Sequence, residues 1–241
     1  MSPSSHARIE GVHLVIAAGG RGLRMGGGVP KQFRDWGGRP LLEATVRAFL
    51  EPGMPALAGI VLAVPEDRLG QVRGWAFGPP LRAVAGGDTR QESVALALAA
   101  LDGPAGAKVL IHDAVRPFPP AGPVQAALDA LDALDSSGRP LWSGAVLGEP
   151  STDTLKRVDA AGLILGTEPR DGIFRAQTPQ VARLGVWREA FAWARAAGFQ
   201  GTDDVSLLEA MGLRVKLVTA PASNLKLTTP EDWARTRPAR D

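Results

Sequence analysis

A glycine-rich segment that carries three cationic side chains is the part of this sequence best suited to chemistry. The apolar run 14–18 has the composition of a buried parallel strand, and a loop of glycines follows it. Arg21, Arg24 and Lys31 lie in that loop or directly after it. Glycine lets backbone N–H groups approach a ligand closely, and such groups together with Arg and Lys bind polyanions. The segment therefore predicts a site for a polyanion such as a triphosphate.

Two familiar phosphate-binding loops do not match this segment. A Walker loop requires Gly-Lys-Ser/Thr, whereas Lys31 follows Pro30 and precedes Gln32. A dinucleotide loop of the G-x-G-x-x-G type that starts at Gly20 would need glycine at the position of Met25. A flexible glycine loop with solvated charges is the alternative that the segment alone leaves open.

Strands and helices alternate in the part of the chain that must position this loop. Right-handed crossovers between such strands predict an α/β fold with a doubly wound, mostly parallel, Rossmann-like sheet. Ligands bind beyond the carboxyl ends of the strands in such sheets, and Gly19, Gly87 and Asp113 each follow a predicted strand. The predicted strands are 14–18, 60–64, 82–85, 109–112 and 141–147, and the predicted helices are 40–50, 66–76, 90–101 (with a capping box of Thr89 and Glu92) and 122–134.

A β-hairpin interrupts this alternation. Residues 152–158 and 163–168 are short β-prone runs, and the sequence 159–162 between them is typical of a turn. A two-stranded hairpin is marginally stable alone in water, so it needs a partner surface. We expect that surface to be a second copy of the chain, which makes the hairpin a protruding dimerisation arm. Folding back onto its own domain is the alternative.

The remaining segments complete a single unit, because the sequence contains no internal repeat and no long linker. We predict one domain over 12–236, with the arm inserted at about 150–172 and a flexible N-terminal tail at 1–11. The later predicted elements are helices at 182–197 and 204–211, strands at 214–219 and 225–227, and a final helix that begins at Thr229.

Composition excludes several classes of protein. The net charge is only +2, and no basic block or aromatic–basic interleaving indicates a nucleic-acid partner. Cysteine is absent, which excludes disulfides and thiolate chemistry. The first residues lack the apolar core of a signal peptide, and the apolar runs are too short to span a membrane. We therefore expect a soluble cytoplasmic protein.

Five motifs, taken in order, resemble those of the 2-C-methyl-D-erythritol 4-phosphate cytidylyltransferase family of the sugar-phosphate nucleotidyltransferases. The resemblance covers essentially the whole chain beyond residue 11, and it implies transfer of a cytidylyl group from CTP to methylerythritol phosphate with release of pyrophosphate. The motifs are Ala17-Ala18-Gly19 with Arg24-Met25 and Pro30-Lys31, Gly86-Gly87-Asp88-Thr89-Arg90 with Ser93, His112-Asp113-Ala114-Val115-Arg116-Pro117, Thr178-Pro179-Gln180, and Asn224-Leu225-Lys226-Leu227-Thr228.

The resemblance also implies roles for individual residues. Lys31, Lys226, Arg24 and Asp113 would be catalytic, and Asp113 would hold a Mg²⁺ that bridges phosphate oxygens. The residues implied for CTP are Ala17, Ala18, Gly19, Gly20, Arg24, Lys31, Gly87, Asp88, Ser93 and Lys226. Those implied for the substrate phosphate are Arg116, Thr154, Arg170 and Thr178, of which Thr154 and Arg170 lie on or beside the arm. If the arms of two chains clasp, Arg170 would act on the neighbouring site.

Three questions stay open at this stage. Four residues, 20–23, precede Arg24-Met25 where the family has three, so either Arg21 or Arg24 meets the triphosphate. A cytidylyltransferase for another polyol phosphate, such as ribitol 5-phosphate, would share the triphosphate-binding parts. A non-catalytic nucleotide-binding module is the alternative from another class, although a pure binder has little use for cations that flank an α-phosphate.

Overall fold

The computed structural model describes residues 11–20 and 28–236. Within that part the chain forms eleven strands and seven α-helices. The strands are β1 (Val12–Ala17), β2 (Asp35–Trp36), β3 (Arg39–Pro40), β4 (Leu57–Val64), β5 (Leu81–Ala85), β6 (Lys108–Asp113), β7 (Gly144–Pro150), β8 (Leu155–Val158), β9 (Ile164–Glu168), β10 (Phe174–Arg183) and β11 (Val215–Thr219). The helices are α1 (Leu41–Ala48), α2 (Leu69–Arg73), α3 (Arg90–Ala100), α4 (Ala121–Ala130), α5 (Leu184–Ala197), α6 (Val205–Ala210) and α7 (Pro230–Thr236).

Seven of these strands form one sheet in the order β11-β7-β10-β6-β1-β4-β5. β10 runs antiparallel to β6 and β7, and the other neighbouring pairs of this sheet are parallel. The predicted mostly parallel sheet is therefore confirmed. Ala17 of β1 is in register with Ala63 of β4 and with Asp113 of β6. The carboxyl ends of these three strands consequently meet at one edge, where the glycine loop and Asp113 begin the site.

Apolar side chains cover both faces of the sheet. Leu14 and Ile16 point into one buried cluster with α1 and α4, whereas Val15 between them points into a second cluster with α3, α5 and α6. This alternation follows from the two-residue period of a strand. Because both faces are covered by helices, the continuous apolar run of β1 is explained, and the predicted doubly wound arrangement is confirmed.

The structure differs from the predicted elements at β10, at the start of α5 and at residues 225–227. β10 occupies 174–183, where the sequence gives no strand signal, and α5 begins at Leu184 rather than at residue 182. Residues 225–227, predicted as a strand, have no regular secondary structure. The Leu227 N–H donates to the Val115 carbonyl oxygen at 2.9 Å, which ties this segment to the loop after β6.

The hairpin lies where the sequence predicts it. β8 and β9 pair with each other as an antiparallel two-stranded sheet, separate from the large sheet. The Asp159 carboxylate accepts hydrogen bonds from the Ala161 and Leu163 N–H groups, both at 2.9 Å, and so fixes the turn. Leu163, Ile164 and Leu165 are 64%, 58% and 58% exposed, which leaves an apolar surface on the arm.

None of the helices within residues 11–20 and 28–236 is long and apolar enough to cross a membrane.

Candidate functional site

Asp113, the last residue of β6, lies at the centre of a cluster of cations. Its Oδ2 is 2.9 Å from Lys226 Nζ and 3.4 Å from Arg116 Nε, and its Oδ1 is 3.2 Å from Arg90 Nε. We call these four residues the Asp113 cluster. Asp113 and Arg116 are buried, whereas the Lys226 side chain is 42% exposed. The fold thus joins the ends of β6, α3 and the 224–228 segment around one carboxylate.

The surrounding cations keep the Asp113 carboxylate ionised. Burial alone would raise the pKa of Asp113, but the charges of Arg90, Lys226 and Arg116 hold this pKa well below its usual range. Burial has the opposite effect on its partner and lowers the pKa of the Arg116 guanidinium. At neutral pH the cluster therefore carries one negative and three positive charges, and its net positive charge favours an anionic ligand.

Asp113, the predicted magnesium ligand, is paired with cations in this structure. Both carboxylate oxygens already face cations within 3.4 Å, and a divalent cation would have to compete with all three. A magnesium role for Asp113 together with substrate phosphates stays a prediction.

A chain of hydrogen bonds holds the backbone of Asp113 in place. The Asp113 N–H donates to Thr178 Oγ1 at 3.1 Å, and Thr178 Oγ1 is 3.1 Å from His112 Nδ1. His112 Nε2 is 2.9 Å from the Arg116 carbonyl oxygen, which only accepts, so Nε2 carries the ring proton. Burial lowers the pKa of His112 to about 4, and the ring is neutral at pH 7. His112 Nδ1 therefore accepts the hydroxyl proton of Thr178.

This arrangement changes the interpretation of Thr178. The resemblance implies that Thr178 contacts the substrate phosphate, but its side chain is buried and its hydroxyl proton is used by His112. While that bond stands, the hydroxyl has no proton to donate to a phosphate. We therefore assign Thr178 to holding the end of β6, and His112, to which the sequence assigns no chemistry, belongs to the same support.

Glycines allow three segments to meet beside the Asp113 cluster. A Cβ on Gly19 would lie 2.7 Å from Ser93 Oγ, and one on Gly86 would lie 2.9 Å from the Gly19 Cα. A Cβ on Gly87 would lie 2.5 Å from the Glu92 Cβ. These approaches are possible only without side chains. The predicted nucleotide residues Gly19, Gly87 and Ser93 are thus brought together, between the end of β1 and the start of α3.

Further contacts fix the start of the glycine loop. Gln32 Nε2 donates to the carbonyl oxygens of Ala18 and Gly20, at 2.6 and 2.7 Å, a link that the sequence does not reveal. The Ala18 N–H donates to the Ala63 carbonyl at 2.7 Å. A Cβ on Gly20 would meet no atom of the described residues within 4 Å. The predicted residues Arg21 and Arg24 lie outside the described residues.

The two lysines predicted to be catalytic lie next to the same segment. Lys31 Nζ donates to the carbonyl oxygen of Leu227 at 3.4 Å, and Leu227 directly follows Lys226. Asn224 holds this segment in place because its Nδ2 donates to the Thr178 carbonyl at 2.8 Å. Its own carbonyl accepts from Arg116 Nη1 at 2.6 Å. The 224–228 segment is therefore contacted by Lys31 and carries Lys226, whose ammonium pairs with Asp113.

Three of the remaining predicted residues, Thr154, Arg170 and Asp88, lie at the surface. Thr154 is exposed at the start of the arm, and the Arg170 guanidinium donates to the Thr152 carbonyl oxygen at the base of the arm. Asp88 is exposed in the turn before α3. Ala17 ends β1 and is partly buried. These positions leave Thr154 and Arg170 on the arm, where contact with a neighbouring chain would be required for the predicted action in trans.

Comparisons with known proteins agree with this description. The family model for 2-C-methyl-D-erythritol 4-phosphate cytidylyltransferase matches residues 12–238. The enzyme of that name from Acidobacterium capsulatum is 40% identical over 235 residues, which are 92% of this chain and 93% of the relative. The one from Xylella fastidiosa (strain M23) is 41% identical over 229 residues, 93% of this chain and 95% of the relative.

Solved structures resemble the chain along nearly its whole length. The crystal structure of 2-C-methyl-D-erythritol 4-phosphate cytidylyltransferase from Thermus thermophilus has a TM-score of 0.71 and 33% identity, with 94% of this chain and 97% of that chain covered. The 4-diphosphocytidyl-2C-methyl-D-erythritol synthase from Anaerococcus prevotii has a TM-score of 0.75 and 28% identity, with coverage of 94% and 96%.

Proposed function

Because the chain belongs to the 2-C-methyl-D-erythritol 4-phosphate cytidylyltransferase family, we propose that the Asp113 cluster and the glycine loop are its active site. The enzyme transfers the cytidylyl group of CTP to 2-C-methyl-D-erythritol 4-phosphate, a step in the synthesis of isoprenoid precursors. The contact of Lys226 with a buried, ionised Asp113, on a segment that Lys31 also contacts, is the observation that carries the assignment of the site.

The reaction needs alignment and charge neutralisation rather than a strong base. A phosphate oxygen of the acceptor attacks the α-phosphorus of CTP, the bond from that phosphorus to the β-bridging oxygen breaks, and pyrophosphate leaves. The attacking phosphate is already anionic at neutral pH. Lys31 and Lys226 would neutralise the charge that builds up around the α-phosphate, where preorganised donors contribute most.

Asp113 would act by holding Lys226. The contact of 2.9 Å between Asp113 Oδ2 and Lys226 Nζ fixes the ammonium on a segment that lacks regular structure. A fixed donor has little reorganisation energy to lose when the reaction occurs. We infer that CTP arrives as its magnesium complex, so the divalent cation enters with the substrate.

The triphosphate and the base of CTP would bind beside Gly19, Gly20 and Gly87. The backbone N–H groups of Gly19 and Gly20 would face the phosphates, and Arg24 from the adjoining segment would add a guanidinium for the β- and γ-phosphates. The backbone of Ala17, Ala18 and Gly87 with the Ser93 hydroxyl would then enclose cytosine, and Asp88 would shape the pocket rim. Such a closed pocket would favour a pyrimidine by its size.

The acceptor site would require two chains. Arg116 lies in the Asp113 cluster, whereas Thr154 and Arg170 lie on the exposed arm. The arm carries a row of exposed apolar side chains, which a second copy of the chain would cover. In a dimer with clasped arms, Arg170 would meet the substrate phosphate of the neighbouring site as a bidentate donor.

Pyrophosphate release tests the proposed function directly. The purified protein would be mixed with CTP, Mg²⁺ and either 2-C-methyl-D-erythritol 4-phosphate or ribitol 5-phosphate. We expect release that depends on the first acceptor and a much lower rate with the second. Equal rates with both acceptors, or release without any acceptor, would contradict the assignment of the acceptor.

A further inference from the structure

Arg90 bridges two buried carboxylates that are far apart in the sequence. Its Nη1 and Nη2 contact Asp204 Oδ1 and Oδ2 at 2.8 and 2.7 Å, a bidentate ion pair. Its Nε contacts Asp113 Oδ1 at 3.2 Å. The guanidinium of Arg90 therefore pairs with Asp204 through its two Nη groups and with Asp113 through its Nε. Lysine, with a single ammonium group, could not make both contacts in this way. The cation at the first residue of α3 is thus not a free surface charge.

Asp204 is built into the fold as a fixed anchor. Its side chain is only 2% exposed, and it precedes the short helix α6. Gln180 of β10 accepts from the Val205 N–H at 2.8 Å, and Gln91 of α3 donates to the Phe199 carbonyl at 3.0 Å. Burial raises the pKa of Asp204, and the paired Arg90 opposes that rise. Removing Arg90 would leave the buried Asp204 carboxylate without its paired cation, which is strongly unfavourable.

The ion pair with Asp204 also limits which atoms of Arg90 can contact Asp113. With its Nη1 and Nη2 held by Asp204, Arg90 reaches Asp113 through Nε at Oδ1, and Oδ2 remains available to Lys226 and Arg116. An Arg90 released from Asp204 could turn its forked edge to both oxygens of Asp113, since bidentate pairs are the stronger ones. It would then compete with Lys226 for the same carboxylate.

We propose that Asp204 is a positioning residue for cytidylyl transfer. Its carboxylate fixes Arg90, so Arg90 contacts one oxygen of Asp113 and leaves the other to orient Lys226 toward the reacting phosphate. The proposal rests on the function assigned above to Lys226 and Asp113. It adds a residue 91 positions after Asp113 that touches neither CTP nor the acceptor in our assignment and acts through Arg90.

Asp203 offers a matched control in the same loop. Its Oδ2 accepts from Gln180 Nε2 at 2.7 Å, and its Oδ1 accepts from the Ser206 N–H at 3.0 Å. Asp203→Asn and Asp204→Asn remove the same charge from adjacent residues, but only the second removes the partner of Arg90. We would measure kcat and KM for CTP and for the acceptor, together with the thermal unfolding midpoint, in both variants and in the unmutated protein.

Asp204→Asn should lower kcat by roughly 10- to 100-fold, the scale expected when a reacting group is misplaced by about 1 Å. Its KM for CTP should stay within about threefold, and Asp203→Asn should keep kcat within about twofold even if its midpoint falls. Adding Arg90→Gln to Asp204→Asn should slow turnover no further than about threefold, because the two residues act as one unit. An unmutated protein without transfer activity would instead refute the proposed function.

Three results would overturn the positioning role. They are a kcat of Asp204→Asn within twofold of the unmutated enzyme, equal losses of kcat in Asp203→Asn and Asp204→Asn, and a double variant whose loss is the product of the single losses. If Asp204→Asn does not fold, Arg90→Lys replaces it, since lysine keeps the charge but cannot bridge both carboxylates. That variant should lose at least tenfold in kcat, and turnover within twofold would refute the role.

Discussion

His112 should make the stability of this protein depend on pH between 7 and 5. The ring is fully buried, and burial lowers its pKa from 6.5 to about 4. In this range the unfolded chain binds a proton that the native state does not, so the free energy of unfolding falls as the pH falls. The difference amounts to about 2 kcal/mol between pH 7 and pH 5 for these two pKa values.

The structural reason is that the lone pair of His112 Nδ1 already accepts a hydrogen bond. It accepts the Thr178 hydroxyl, which in turn accepts the Asp113 N–H. Protonation of His112 Nδ1 would turn it into a donor that faces the donating hydroxyl of Thr178. It would also place a positive charge in a buried environment. The folded protein therefore keeps His112 neutral between pH 7 and 5, and the effect in this range is on stability.

Urea unfolding at several pH values between 5 and 7 tests this reasoning, with His112→Gln as the variant. Glutamine can still donate to the Arg116 carbonyl but cannot titrate, so most of the slope of stability against pH should vanish. His13 is the control because burial lowers its pKa as well, and His13→Gln should keep the larger part of the slope. Equal slopes in His112→Gln and the unmutated protein would refute the reasoning.

Three further predictions concern the helix, the arm and the base. Thr89→Ala should lower the free energy of unfolding by about 1 kcal/mol in urea titrations, because Thr89 forms the capping box of α3 with Glu92; no change would contradict that role. Mixing inactive Lys31→Ala and Arg170→Ala chains should restore part of the activity, as hybrid dimers hold one intact site, whereas no recovery after verified subunit exchange would exclude action in trans. Replacing CTP with ATP or GTP should lower kcat/KM by orders of magnitude, and comparable values would exclude a cytosine-specific pocket.

Local signals in the sequence predict much of this fold. The apolar runs of β1, β4 and β6 predict buried strands, since both faces of a parallel sheet are covered. The capping box at Thr89 and the turn at 159–162 depend on residues a few positions apart, and both are confirmed. The apolar core likewise follows from the two-residue period of the strands.

β10 could not be predicted because its polar residues are satisfied by distant partners. Gln177, Thr178 and Gln180 surround a proline, a composition typical of a loop. In the fold, Thr178 bonds to the Asp113 backbone and Gln180 to Asp203 and Val205. These contacts remove the cost of burying polar groups, which no local pattern reveals.

The same reason limits prediction of the site. The motifs indicate Lys31, Asp113 and Lys226, and the fold brings them together through Leu227. The pairing of Arg90 with Asp204 joins residues 114 positions apart, so the sequence allows Arg90 to be read as a surface charge. The three cations that surround Asp113 come from distant parts of the chain, so no local pattern reveals them.

Turnover of Lys226→Ala tests the central claim most directly, because this lysine is held by Asp113 and is assigned to the reacting phosphate. The matched control is Lys216→Ala, which removes an exposed lysine of β11 that lies 5.2 Å from the Trp142 ring. With CTP and 2-C-methyl-D-erythritol 4-phosphate saturating, Lys226→Ala should lower kcat by about 10²- to 10³-fold while its thermal unfolding midpoint stays close to that of the control. A kcat of Lys226→Ala equal to that of Lys216→Ala would contradict the assignment of the active site.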